Sequence, residues 1–236
     1  MASEGSAESY RVTALRACAM ARQARRRHRW YNGSIMPRIP ARELEGLPLR
    51  AHDLLAGVPL HDAWAVDLPR WRAGITLDEF LRAAGGLPFK PSRMVRVLLA
   101  LRFAVGRLFN WDREDRERER ASTAGAAFVS RMTAADTARS LVPPGSPRGP
   151  FRVVYCFENE ELLELRNRTA HAGALSALVE GAQTYRFYFG VYVRAVGRFT
   201  PVYMAVIAPF RRLIVYPSLL RSVRASWDHA FRPRGG

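Results

Sequence analysis

Thr184-Tyr-Arg-Phe-Tyr-Phe-Gly-Val-Tyr-Val-Arg194 decides how the rest of this chain is read. Tyr185, Phe187, Phe189, Val191 and Val193, continued by Ala195, fall on one side of a two-residue repeat. Thr184, Arg186, Tyr188, Tyr192 and Arg194 fall on the other. A period of two places alternate side chains on opposite faces of a β-strand, here with one fully apolar face. Upstream, Gly181 marks a turn, and Leu175, Ala177 and Val179 predict another strand. His171-Ala172-Gly173 reads as the turn before it. Leu163, Leu165, Asn167 and Thr169 alternate with charged residues, and Phe151, Val153, Tyr155 and Phe157 form a further strand across a turn at Glu158-Asn159-Glu160. Downstream, Gly197 predicts a turn into a strand over Thr200–Ala208. Phe210–Phe231 then reads as a helix with Leu213, Leu220, Val223, Trp227 and Phe231 on one side. Pro217 must start or kink that helix, because its ring would clash with the carbonyl of Leu213.

The first half is patterned differently. Ala63–Pro69 predicts a short strand. Thr76-Leu-Asp-Glu79 is a capping box that starts a helix, with Leu77, Phe80, Leu81 and Ala84 on one face and Gly85-Gly86 as its stop. A second helix follows Pro91-Ser92, with Val95, Leu98, Leu99, Arg102, Val105 and Phe109 at helical spacing. Trp111–Arg120 alternates charge signs in the manner of a solvated helix end or loop. Ala126–Met132 is a further strand candidate, and four prolines within Val142–Pro150 predict a loop. The order is strand, two helices, six strands and a long helix. Short turns make neighbouring strands antiparallel. The predicted fold class is α+β: a curved seven-stranded antiparallel sheet around a C-terminal helix.

Composition bounds the function. The 236 residues are 48% hydrophobic, which supports one full core, and the predicted organisation is a basic disordered arm over 1–40 and a single domain over 41–236. Met36 is an alternative start, since the better-patterned region opens there. The net charge is +16, from 37 Lys and Arg against 21 Asp and Glu, yet Lys90 is the only lysine. An almost pure arginine content reflects a GC-rich coding sequence more than a phosphate-holding patch, so no specific nucleic acid is expected. Residues 1–40 do hold eight basic and two acidic side chains, including Arg25-Arg26-Arg27-His28-Arg29 beside Trp30 and Tyr31. An anionic membrane or nucleic-acid surface is the partner that arm would suit. Cys18 and Cys156 cannot build a disulfide framework, and no Cys/His motif for a metal is present. No apolar run is long enough to span a bilayer, and no secretory leader is visible, which predicts a cytoplasmic protein. No Gly-rich phosphate or dinucleotide motif and no nucleophile elbow follows a strand, so no cofactor is expected.

The element order resembles the helix-grip fold of the START-like, polyketide-cyclase-like (SRPBCC) superfamily, with its two shorter helices between strands 1 and 2. That resemblance implies a cavity between the sheet and the last helix. The segment Tyr185–Val193, Gly197, Val206-Ile-Ala-Pro-Phe-Arg-Arg-Leu-Ile-Val215 and Leu219-Leu-Arg221 also resembles an uncharacterised bacterial domain family that occurs appended to NAD(P)-binding epimerase-like proteins. That family carries a Pro-Phe-His-Arg-like turn before its final helix. Arg211 stands here where histidine is common, and no acidic residue follows His171.

A grip-type cavity binds through apolar walls and a few orienting polar groups. The predicted function is therefore binding of a hydrophobic small molecule, lipid- or polyketide-like. The candidate ligand-binding residues are Tyr155, Phe157, Leu163 and Leu165, then Phe187, Phe189 and Met204, with Leu220 and Trp227 from the closing helix. Asn167 and Thr169 join them as polar groups on the face of Leu163 and Leu165. The alternative is a cyclase- or hydratase-like enzyme in the same cavity, for which His171, with Tyr155 or Glu158, is the only proton-transfer set at hand.

Overall fold

The computed structural model describes residues 38–86, 127–166, 171–195 and 199–233, all within one compact unit, Met36–Gly236. The predicted helix after Pro91, the charged run at 111–120 and the arm up to residue 37 lie outside the described residues. Two short helices, α1 (Ala41–Glu45) and α2 (Arg50–Leu54), precede strand β1 (Leu60–Pro69) and helix α3 (Leu77–Ala83). A 3-10 turn (Phe128–Arg131) and α4 (Ala134–Arg139) lead into β2 (Pro147–Arg148), β3 (Phe151–Cys156), β4 (Glu160–Arg166), β5 (His171–Glu180) and β6 (Thr184–Arg194). The chain then runs through α5 (Phe199–Phe210), a π-helical segment (Arg211–Val215) and α6 (Tyr216–Phe231).

The sheet has six strands in the order β1-β6-β5-β4-β3-β2, with every pair antiparallel. Three corrections turn the expected seven strands into six. Ala126–Met132 holds a 3-10 turn, and Thr200–Ala208 is helical. A short apolar run looks alike in either state, and neighbouring structure chooses between them. The proline-rich loop meanwhile contributes the two-residue β2, at the sheet edge, where proline's missing N–H is tolerated.

The helix α3 begins at the expected residue but with only half of the capping box: the Thr76 hydroxyl accepts from the Glu79 amide at 3.2 Å, the Glu79 carboxylate does not return to residue 76, and Gly85 and Gly86 follow the helix at φ of 84° and 95°. The Glu79 carboxylate pairs with Arg72. Pro217 sits in the first turn of α6, as its ring requires. The wider π turn just before it lies at Leu213, whose carbonyl that ring would otherwise crowd.

Both faces of the sheet are apolar and both are covered. On one, α6 lays Leu219, Leu220, Val223 and Trp227 against Val153, Leu163, Leu178 and Phe187, and α3 inserts Phe80 and Leu81. The Phe80 ring lies 5.2 Å from Trp227 and 6.5 Å from Phe187. Leu213, expected on the buried side of the last helix, is 76% exposed because the π turn rotates it outward. On the other face, Leu44, Leu54, Leu55 and Phe128 cover Leu162, Leu175, Ala177, Tyr188 and Tyr192. This second layer reaches back to Arg38 and Ile39, which pair with β1.

Close packing also explains a misread glycine. Gly173 lies inside β5: a Cβ there would meet Leu55 at 3.3 Å and Phe128 at 3.4 Å. It admits the covering layer. His171-Ala172-Gly173 is thus strand, with His171 opposite Arg166 and Arg194.

Candidate functional site

Asp62 and Trp64 point from β1 toward the last helix, two residues apart on one face. The Asp62 carboxylate is 0% exposed, and a charge so placed must be paired. The π-helical segment supplies the partners. Arg211 Nη1 lies 3.0 Å from Oδ2, Arg212 Nε donates to Oδ1 at 3.3 Å, and the Tyr216 hydroxyl donates to Oδ2 at 3.2 Å. Helical spacing alone would send Arg211 and Arg212 about 100° apart; both reach Asp62 from within the widened turn. Burial, with the Asp62 charge beside it, pushes the Tyr216 phenol well above its ordinary range. Burial, followed by repulsion from Arg211, holds the His61 imidazole below its usual 6.5 against the pull of Asp62.

The cluster has more donors than acceptors. Trp64 Nε1 and Arg211 Nε are buried and have no hydrogen-bond partner among the described residues. Each such group costs about 1–3 kcal/mol in desolvation. The Trp64 ring lies 5.4 Å from that of Tyr216, whose hydroxyl is 3.5 Å from Arg211 Nη1, so both orphan donors border one tyrosine. The surroundings are apolar. Phe189 stands 6.0 Å from Tyr216, and beyond it Met204 and Val193 are buried with Val191 and Ile207 half-exposed. The arrangement is suited to receive an oxygen acceptor at the end of an apolar body.

A second polar group lies across the sheet. His171, expected exposed at a turn, is 3% exposed within β5. Its Nε2 is 2.5 Å from Glu164 Oε1, which also accepts the Phe128 amide at 2.8 Å. Phe128 stacks on the imidazole at 4.1 Å. The carboxylate absent after His171 comes instead from the neighbouring strand β4. Nearby, Glu160 accepts from the amides of Arg50 and Ala51 and from the Tyr155 hydroxyl. Such a carboxylate ties α2 to the sheet, and Arg50 is held further by Asp136, whose carboxyl it lowers to about 2.

Among the sequence-derived candidates, Leu163, Phe187, Phe189, Leu220 and Trp227 share the helix-side core, and Met204 lies beyond it beside Val193. Leu165 is half-buried on β4. Tyr155 and Phe157 lie on the opposite face. A β-bulge between Val153 and Tyr155 inserts one residue and reverses the alternation beyond it, so Cys156 takes the helix-side place. Asn167 and Thr169 lie outside the described residues. His171 and Tyr155 both lie on the face away from the last helix, but each member of the set of His171, Tyr155 and Glu158 has a different partner: Tyr155 binds Glu160, His171 binds Glu164, and Glu158 offers its backbone carbonyl to the Asp78 amide. Asp62, Trp64 and Tyr216 escaped sequence reasoning. The one available signal was an acidic residue entering an otherwise apolar strand.

Burial, and then the charge of Glu161, raises the Cys156 thiol to about 12, which leaves it an inert filler. No group of three or more His, Cys, Asp or Glu among the described residues is placed to hold a metal ion, and no described helix is long and apolar enough to cross a membrane.

These features define an α+β domain with a six-stranded antiparallel sheet, a C-terminal helix and a donor-rich polar cluster beneath that helix. Residues 54–218 match the family described as "Protein of unknown function (DUF2867)", and the chain belongs to that family. No curated protein matches it, and no solved structure matches it.

Proposed function

We propose that this chain binds a hydrophobic small molecule, lipid- or polyketide-like, between the sheet and the C-terminal helix, as a cytoplasmic helix-grip protein of the START-like, SRPBCC type. The element order supports this: a first strand, an antiparallel meander that returns to pair with it, and a closing helix. The observation that carries the reading is the pair of buried, unpartnered N–H donors at Trp64 and Arg211 beside apolar side chains. The ligand sits at the α5 end of the helix, among Phe189, Val191, Met204 and Tyr216, because Trp227, Leu220, Val223 and Phe187 fill the α6 end.

Solvent extraction of the purified protein followed by mass spectrometry, together with thermal denaturation against a lipid and polyketide panel, tests the proposal. Ligand at a hundredfold excess over Kd stabilises the fold by about 2.7 kcal/mol. An empty extract together with no thermal shift across the panel would refute binding.

A second reading rests on Glu164 and His171. A carboxylate that holds one imidazole nitrogen leaves the other as an acceptor, the arrangement a general base needs. Phe128 covers the ring face, and the pair lies away from the helix, so a cyclase- or hydratase-like activity here would use a different pocket. Turnover of a polyketide-like substrate that survives His171→Ala would dismiss this role for the histidine.

A further inference from the structure

We infer that the ligand carries a carboxylate, held by the Trp64 indole N–H and the Arg211 guanidinium at the junction of β1 and the π-helical segment. The inference rests on the binding site proposed above and names the chemistry of its polar end.

Charge supplies the first argument. Asp62 is one carboxylate facing two guanidinium groups, Arg211 at 3.0 Å and Arg212 at 3.3 Å, so among the described residues the cluster carries one positive charge more than Asp62 offsets. The neighbouring His61 adds no acid to offset it, and Arg38, donating to the His61 carbonyl, adds a further guanidinium at the edge. A monoanion neutralises the surplus. A phosphate monoester would bring a second negative charge against the buried Asp62.

Hydrogen bonding supplies the second. Trp64 Nε1 can only donate, and so can Arg211 Nε, so whatever completes them is an acceptor. The protein's own acceptors there are already engaged: Oδ1 of Asp62 takes Arg212, Oδ2 takes both Arg211 Nη1 and the Tyr216 hydroxyl, and the Tyr216 oxygen accepts from Arg211 Nη1 at 3.5 Å. A hydroxyl brings no charge and a carboxylate brings two acceptor oxygens, so the acid suits both groups. The apolar part of the ligand then extends along Phe189, Val191 and Met204.

Dodecanoate and dodecan-1-ol, which share one apolar chain, are titrated into the full-length protein and into Trp64→Phe and Arg211→Met, with binding read by calorimetry and folding by circular dichroism. The natural sequence is expected to prefer the acid by about tenfold or more, the value of one or two charge-assisted hydrogen bonds. In either folded variant that preference falls to within about threefold. Equal binding of acid and alcohol by the natural sequence, or a preference that persists in both variants, overturns the inference and leaves hydrophobic binding standing. Failure of both probes to bind overturns the carboxylate site, while the binding reading falls only with an empty extract and no thermal shift across the panel.

Discussion

Two tryptophans stand at the two ends of one core, Trp227 on α6 and Trp64 on β1, and they are treated oppositely. Trp227 is fully buried among Phe80, Tyr185 and Phe231, and its indole donates to the Pro69 carbonyl at 2.9 Å. Trp64 is also buried, against Tyr216, yet its indole donates to nothing. The first end is finished as a packed interior. At the second, an ion cluster, a π turn and an orphan donor stand where a stability-driven core would place aliphatic side chains. Local violations of packing rules of this kind gather at sites of function.

The contrast can be broken by mutation. Trp227→Ala should be the most damaging, at about 3–5 kcal/mol in urea denaturation, because it opens a cavity and frees the Pro69 carbonyl. A pH effect of a few kcal/mol is expected from Glu161, whose side chain is fully buried beside Arg148 with Oε2 unpartnered. Burial raises its carboxyl from the usual 4.5 to about 7, against the pull of Arg148. Between those two pH values the folded state holds a proton that the unfolded chain has released, so stability falls as pH rises from 4.5 to about 7 and levels off above. Glu161→Gln should flatten that slope in denaturant titrations run across the interval. Asp62→Ala should cost about 2–3 kcal/mol, less than breaking a wholly buried pair, since Arg212 is 44% exposed and can turn to water. Smallest is Trp64→Phe, within about 1 kcal/mol in the absence of ligand, because the N–H it removes has no partner to lose. A large loss from Trp64→Phe would erase the distinction between the two ends.

How much was legible follows the range of each signal. Thr76 as a helix cap, Gly85-Gly86 as a stop and Tyr185–Val193 as a strand are local patterns that the structure keeps, although Tyr188 and Tyr192 are buried on the face the pattern leaves polar. The errors fall where a distant element decides. Gly173 looked like a turn because nothing nearby shows that Leu55 and Phe128 will press on it. Alternation alone sends Tyr155 and Phe157 to the helix side, because a one-residue bulge at Val154 leaves no mark in a run of alternating apolar residues. His171 lost its expected exposure in the same way, being in register with β6 and covered by Phe128.

The sequence by itself determined the α+β class, the antiparallel meander, the closing helix and the proline that starts its last section, since periodicity, capping and ring geometry act over a few residues. Only the tertiary structure decided that both faces of the sheet are covered, that 200–208 is helix, and that Asp62 meets Arg211, Arg212 and Tyr216. Those facts depend on which buried groups find partners across about 150 residues of chain, as in the contact of Arg212 with Asp62. A buried charge or N–H acquires its meaning from whatever lies within hydrogen-bond reach, and folding alone sets that distance.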